Sequence, residues 1–496
     1  MSAQRLQSVE NPSPAEQRDA YHAQLRGMAA ERHAAGGRSF YHREIARLYG
    51  LLVPQGASVL MLGAGDGGLL AALRPAHGVG VEIEEGAAGR AQQAHPELRF
   101  RLVPAYDRLE SIEAPESTDA GGRVTRGFDF ILLPDVVVDL WDVQATFAAL
   151  RPLCHPGTRI IINSYSRLWQ GPLSLARRLG VARPRLGRSW LDQHDVINLL
   201  ALEGFECFRQ FSEILLPLPV PLVQQAFNRV LARLWPLRWL CLTNFWVARP
   251  LPSAPPAPRS VSVVVPARNE AGNVRRILEE IPEMGAGTEI ILVEGNSTDD
   301  TWETIQRTVK EFPQRRIRIM QQPGKGKGDA VRTGYAASTG DILMILDADL
   351  TVPAADLSRF YQAMVEGRGD FINGVRLVYP MQDDAMRFLN LLANKFFALA
   401  FSWVLGQPIK DTLCGTKVLS RRDYDRLAAN RAYFGDFDPF GDFDLIFGAA
   451  KLNLRMVDLP IRYQNRVYGT TNISRWRHGM LLLRMLMLAT RRLKFA

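Results

Sequence analysis

The chain has 496 residues, 47 % of them apolar and 22 % charged, with a formal net charge of +9 and a pI of about 9.5. That length predicts two to four domains, each half can bury its own core, and the composition is that of an ordinary globular protein. The modest basic excess suits phosphate-rich ligands or an anionic membrane surface, and with no nucleic-acid-binding signature beside it no nucleic-acid partner is expected.

In chain order, residues 1–36 lack an apolar core, which excludes a signal peptide; they read as a polar tail, flexible or loosely helical. Residues 37–248 alternate apolar runs with helical patterns. Strands are predicted at Ser58–Leu62, Gly78–Glu82, Phe128–Leu133 and Arg159–Asn163, and helices at Asp66–Arg74, Glu85–Ala94 and Val143–Leu153. The four cysteines, Cys154, Cys207, Cys241 and Cys414, have no metal-ligand spacing and read as free thiols of a reducing cytosol. Residues 249–258 hold five prolines and predict a stiff linker.

After the linker, residues 259–496 restart the alternation. Strands are predicted at Val261–Val265, Glu289–Val293, Ile317–Met320 and Ile342–Leu346, and helices at Ala271–Ile281, Asp299–Phe312, Gly328–Ser338 and Ala354–Glu366. The fold class is therefore α/β with two domains and mainly parallel sheets, whose ligands bind outside the carboxyl ends of strands. Asp347-Ala348-Asp349 ends one such strand, and two hard oxygen ligands there suit Mg²⁺ or Mn²⁺ held together with substrate phosphates. Gly324-Lys325-Gly326-Lys327-Gly328 precedes a helix and reads as a phosphate cradle.

The segment from Val261 to about Asn472 resembles the family-2 glycosyltransferases, in particular the branch acting on dolichol or polyprenyl phosphate. The match runs through Val265–Ala271, Val293–Thr301, Lys325–Gly334, Leu346–Leu350, Asn373–Leu377, Asp411–Lys417 and Arg466–Asn472. The resemblance implies a GT-A nucleotide-diphospho-sugar transferase fold and inverting transfer from a nucleotide-sugar to a polyprenyl phosphate or another envelope glycan intermediate. It also implies that Pro266, Glu270, Glu294 and Asp299 hold the nucleoside and that Asp347 and Asp349 bind the metal. Lys325, Arg376 and Arg466 would meet phosphates, and Asp411 would lie near the reacting sugar. Glu294-Gly-Asn-Ser replaces the family's usual Asp-Asp-Gly-Ser, and Thr351 stands where relatives often carry Gln or Ser. A hydroxyl acceptor would instead need a general base, Asp411 or an acid among Asp436–Asp444.

In the first half, Gly63-Ala-Gly65-Asp-Gly67 follows a strand, and Glu82 ends the next, a pattern that fits a nucleoside. Tyr41 to Arg249 resembles the class I S-adenosylmethionine-dependent methyltransferases, which implies that Gly63, Gly65, Gly67 and Glu82 bind S-adenosylmethionine. Tyr41, His42, Asp135 and Tyr165 are pocket candidates. Met61 occupies a position where relatives often have an acid, so a non-catalytic docking module stands as the alternative. A non-enzymatic sugar-nucleotide-binding protein is a further alternative, opposed by the intact Asp347/Asp349 pair.

Phe388–Leu405 and Met480–Ala489 are apolar but carry Lys395 and Arg484, and the second is half the ~20 residues a span needs. Arg475–Ala496 reads as a basic amphipathic segment in peripheral contact with an anionic membrane, with a helix packed on its own domain as the alternative, and the protein is expected in the cytoplasm or on the membrane's cytoplasmic face.

Overall fold

The computed structural model describes residues 14–34, 40–118, 124–178, 191, 193–220, 222–252, 257–376, 388–433, 441–461, 464, 468 and 475–495. The chain divides into two compact units, Met1–Ser117 with Thr125–Pro250, and Leu251–Ala496 with Thr118–Val124.

The first unit is built on seven strands: β1 (Ser58–Leu62), β2 (His77–Glu82), β3 (Arg99–Leu102), β4 (Phe128–Pro134), β5 (Cys154–Tyr165), β6 (Phe205–Glu213) and β7 (Thr243–Pro250). Their order is β3-β2-β1-β4-β5-β7-β6. β1 to β5 run parallel, and β7 is antiparallel to both neighbours. The apolar run Val59–Leu62 is buried on both faces, as a central parallel strand requires. Two expectations need correction. The N-terminal segment contains a helix, Pro14–Ala34, and its Tyr21 and Leu25 are buried in the core, so this stretch is not a flexible tail. The proline-rich segment also starts later than predicted. Arg249 and Pro250 are the buried end of β7, where Pro250 lies opposite Phe205 and Arg249 pairs with Glu206 at 2.8 Å.

The second unit has β8 (Val261–Ala267), β9 (Thr288–Glu294), β10 (Arg316–Gln321), β11 (Ile342–Ile345), β12 (Phe371–Val375), β13 (Lys417–Ser420) and β14 (Met456–Pro460), ordered β10-β9-β8-β11-β13-β12-β14. Only β13 is antiparallel to its neighbours. The chain winds outward from β8 in one direction through β9 and β10 and in the other through β11, so the switch point lies between β8 and β11. Helix Lys327–Ala337 lies close on β8 because Gly334 has no side chain; a Cβ there would come within 2.4 Å of Val264. That approach sets where the amino end of the helix, with Lys327, meets the carboxyl edge of the sheet. Among the described residues no helix is long and apolar enough to cross a membrane.

Candidate active site

In the second unit three loops at strand ends are knit together by short polar side chains. After β8, Asn269 accepts from Thr298 N at 2.8 Å, and its own N–H donates to Ser297 Oγ at 3.0 Å. After β9, Asn296 donates to Gly324 O at 3.0 Å, tying in the glycine-lysine loop. Asn269 and Asn296 both have positive φ, 57° and 56°, a conformation that asparagine tolerates. The predicted nucleoside residues lie in this web. Glu294 is buried and accepts from Ser297 N and Gln321. Glu270 accepts from Asn273, and Asp299 opens the next helix by accepting from Thr301. Pro266 is half-buried at the end of β8. Asn269, Asn296 and Ser297 fall inside the matched motifs Val265–Ala271 and Val293–Thr301, but no role is predicted for them, since small polar residues in loops carry no periodic signal.

Asp347 and Asp349 follow β11 at the switch point. Asp349 Oδ1 accepts from Thr351 N at 3.1 Å and Thr351 Oγ1 at 2.8 Å, which fixes the carboxylate and gives Thr351 a role. Asp347 Oδ1 sits 2.7 Å from Lys327 Nζ, and Lys327 also faces Asp442 at 3.8 Å. Burial pushes the Asp347 carboxyl up, but Lys327, then Lys417 and Arg376, outweigh it and hold the group below the ordinary range. Burial likewise opposes the Lys327 ammonium, and Asp347 and Asp442 more than reverse it. Gly415 lets this carboxylate in: a Cβ there would lie 1.9 Å from Asp347 Oδ2. The lysine predicted from the sequence, Lys325, is exposed in the loop, whereas its neighbour Lys327, the first helical residue, reaches the acid.

Asp411 is buried and fully engaged. Arg376 grips it in a fork, Nε to Oδ2 at 2.7 Å and Nη2 to Oδ1 at 2.9 Å, and the backbone N–H groups of Leu413 and Cys414 donate to Oδ1 at 3.1 Å each. Burial raises its pKa, yet Arg376 and Lys417 hold it below the usual carboxylate range. Lys417, fully buried, donates to Cys414 O and adds a cation beneath both acids. It closes the motif Asp411–Lys417, yet no role is predicted for it from the sequence, where a lone lysine reads as a surface residue. Of the acids among Asp436–Asp444, Asp442 faces Lys327 and Asp444 pairs with Arg431 at 2.7 Å, while Asp436 and Asp438 lie outside the described residues. Arg466 also lies outside them; nearby, Gln464 N donates to Thr351 O at 2.9 Å.

The first unit has its own strand-end cluster. Gly63, Gly65 and Gly67 all have positive φ, and at Gly67 a Cβ would meet Phe100 at 2.5 Å. Glu82 is buried and accepts from Gly65 N across a short contact. Burial pushes its carboxyl up to about 7 against the opposing pull of Gly65, Ile83 and Tyr106. Met61 is fully buried among apolar side chains. Beyond β4, Asp135 accepts from Tyr41 at 2.9 Å and Asn163 at 2.8 Å, and Tyr41 stacks on Tyr165. His42 is exposed at the edge of this group.

Residues 262–427 match the family described as Glycosyl transferase family 2. The chain is 26 % identical over 226 residues to glycosyltransferase AglJ of Haloferax volcanii, 45 % of this chain and 70 % of that one. It is 32 % identical over 137 residues to dolichol-phosphate mannosyltransferase of Pyrococcus furiosus, 27 % of this chain and 38 % of that one. To undecaprenyl-phosphate 4-deoxy-4-formamido-L-arabinose transferase of Klebsiella pneumoniae it is 24 % identical over 223 residues, 44 % of this chain and 64 % of that one. Among solved structures, glucosyl-3-phosphoglycerate synthase of Mycobacterium tuberculosis with Mn²⁺, UDP and product aligns at 19 % identity and a TM-score of 0.35, over 47 % of this chain and 80 % of that one.

Proposed function

We propose that the second unit transfers a sugar, with inversion, from a nucleoside-diphosphate donor to a polyprenyl phosphate. The observation that carries this is the fixed carboxylate pair Asp347/Asp349 at the switch point, beside the helix that opens at Lys327. The residues fit a divalent ion: Asp347 already holds a cationic group at 2.7 Å, and Thr351 fixes the Asp349 carboxylate two residues away. Mg²⁺ or Mn²⁺ held by these carboxylates with donor phosphates would supply Lewis-acid stabilisation of the leaving diphosphate.

The chain's own groups do the rest. The loops after β8 and β9 bind and orient the nucleoside. The amino end of helix Lys327–Ala337, with Lys325 beside it, offers N–H groups and positive charge to the diphosphate. Asp411 is held ionised by Arg376 and accepts from five donors, so it is a positioning residue and a poor proton acceptor. This favours an acceptor that arrives already ionised. A phosphate oxygen attacks the anomeric carbon, the bond from that carbon to the donor diphosphate breaks, and no proton has to be removed. Names of the relatives from Pyrococcus and Klebsiella, which specify dolichol and undecaprenyl phosphate, support the same class.

For the first unit the reading is a nucleoside site for S-adenosylmethionine. The β3-β2-β1-β4 order, the positive-φ glycines after β1 and Glu82 at the end of β2 support it. Buried Met61 supports the docking-module alternative. Peripheral membrane contact through helix Arg475–Ala489 is supported by Met480 and Met487, 57 and 52 % exposed while Leu482 and Met485 are buried.

The test is transfer from a panel of sugar nucleotides to polyprenyl phosphate. Turnover is expected to stop in excess EDTA, return with Mg²⁺ or Mn²⁺, and vanish in a folded Asp349→Asn variant. Full activity in EDTA would remove the metal, and equal transfer to simple alcohols would remove the lipid-phosphate acceptor.

A further inference from the structure

Between β6 and β7 the first unit makes an excursion, residues 214–242, that neither the nucleoside cluster nor the transferase reading uses. The sequence here contains three arginines and no aspartate or glutamate. Its inner side is built like a core. Asn228, 3 % exposed, clamps Leu216 from both sides, donating to its O at 2.9 Å and accepting from its N at 2.8 Å. Arg233 pairs with buried Glu213, and Trp169 Nε1 donates to Leu240 O at 2.9 Å, fastening the excursion to the segment after β5.

Its outer side is apolar and uncovered. Leu218, Leu222, Trp235, Trp239 and Leu240 are 56, 79, 70, 58 and 53 % exposed, and the two tryptophans meet edge-on at 5.9 Å. The excursion's own packing does not need these side chains outward. So many large apolar groups exposed within one short segment mark a contact surface. The remaining two arginines of the segment, Arg229 and Arg238, are exposed as well. In the adjoining segment Leu168 and Leu175 are 64 and 59 % exposed beside exposed Arg167 and Arg178, and the sequence has no carboxylate from Val143 through Leu191.

We propose that this face is a docking surface for an anionic lipid bilayer, lying in the first unit and separate from helix Arg475–Ala489. Tryptophan and leucine enter the interfacial region, arginines meet lipid phosphates, and the lack of carboxylates over two segments removes the repulsion that a negatively charged surface would otherwise impose. A protein partner is less well matched, because such contacts pair charges of both signs at their rims. The surface stands whether or not the transferase reading does, since it uses none of that site's residues.

The test is flotation of the full chain with vesicles of phosphatidylcholine alone or with phosphatidylglycerol. Wild type is expected to float with the mixed vesicles at low salt and to detach at high salt. Trp235→Ser with Trp239→Ser, and separately Arg229→Gln with Arg238→Gln, should each weaken partitioning roughly tenfold or more, with transferase turnover on a water-soluble acceptor analogue unchanged. Leu222→Ser is the second apolar probe should the tryptophan pair disturb folding. In each variant Met480 and Met487 stay intact, so loss of flotation is assigned to the first unit. Undiminished flotation of the folded variants would overturn the proposal. So would a wild-type dimer that the tryptophan substitutions dissociate, because the face would then belong to a second copy.

Discussion

Gly415 shows how a residue without a side chain controls the chemistry of its neighbour. Asp347 can approach Lys327 and Lys417 only because nothing projects from position 415. Gly415→Ala is expected to push the carboxylate aside and lower kcat about a hundredfold, since ~1 Å of displacement at a reacting centre has that effect; steady-state kinetics beside an unchanged circular dichroism spectrum would show it. Asp411 belongs to a different class of residue. Because its folded pKa is depressed, it contributes stability above the ordinary carboxylate pKa, and that stability is lost as pH falls through the folded value. Asp411→Asn leaves Arg376 without its counter-ion and should destabilise the second unit by about 3 kcal/mol, while the pH–rate profile keeps its shape. A profile that loses its acidic limb would instead make Asp411 a general base. The carboxylate pair was legible in the sequence because two acids end an apolar run. The choice of Lys327 over Lys325 was not, because it depends on which lysine starts the helix.

Strands buried on both faces were the most legible elements. Val261–Ala267 and Thr288–Glu294 extend the predicted runs by only a residue or two, since an uninterrupted apolar run has few other solutions. β3, β6, β7, β12, β13 and β14 went unread: β3 and β13 are four residues long, β6 mixes polar and apolar residues with a bulge between Cys207 and Arg209, β7 runs into the proline cluster, and β12 and β14 contain Gly374 and Pro460. The junction of β1 and β2 carries a test of its own. Glu82 at the end of β2 holds its proton up to about 7 in the native unit, whereas the unfolded chain releases it near 4.5. The stability from this group is fully present below the unfolded value and is lost as pH rises through 7, with a ceiling of about 3 kcal/mol. Urea titrations between pH 5 and 8 should show that decline, and Glu82→Gln should flatten it. A wild-type unit equally stable across the range would mean that Glu82 is ionised throughout. Ribose hydroxyls donate to carboxylates, so S-adenosylmethionine binding is expected to tighten across the same interval.

On the scale of the whole molecule the sequence made two units legible, because the alternation of strand and helix stops at a proline cluster and starts again. It did not reveal that β7 consumes the first two residues of that cluster, since Pro250 closes a strand only once β6 is there to pair with it. Two separate sheets, each with its own buried core, predict two separate unfolding transitions, and ligands then report which unit carries which site. A ligand that binds only the native form stabilises its unit by about 2.7 kcal/mol at a hundred times its Kd, which for a unit of this size moves Tm by roughly 5–10 °C. Scanning calorimetry of the full chain should therefore show a sugar nucleotide with Mg²⁺ raising one transition and S-adenosylmethionine raising the other. The Asp349→Asn variant should lose the Mg²⁺-dependent part of the first shift and keep the second intact. If S-adenosylmethionine moves neither transition at millimolar concentration, the first unit has no working nucleoside site, and buried Met61 together with the closed contact from Glu82 to Gly65 becomes the physical reason. If one ligand moves both transitions together, the units unfold as a single cooperative body, and the proline-rich segment does not separate them energetically.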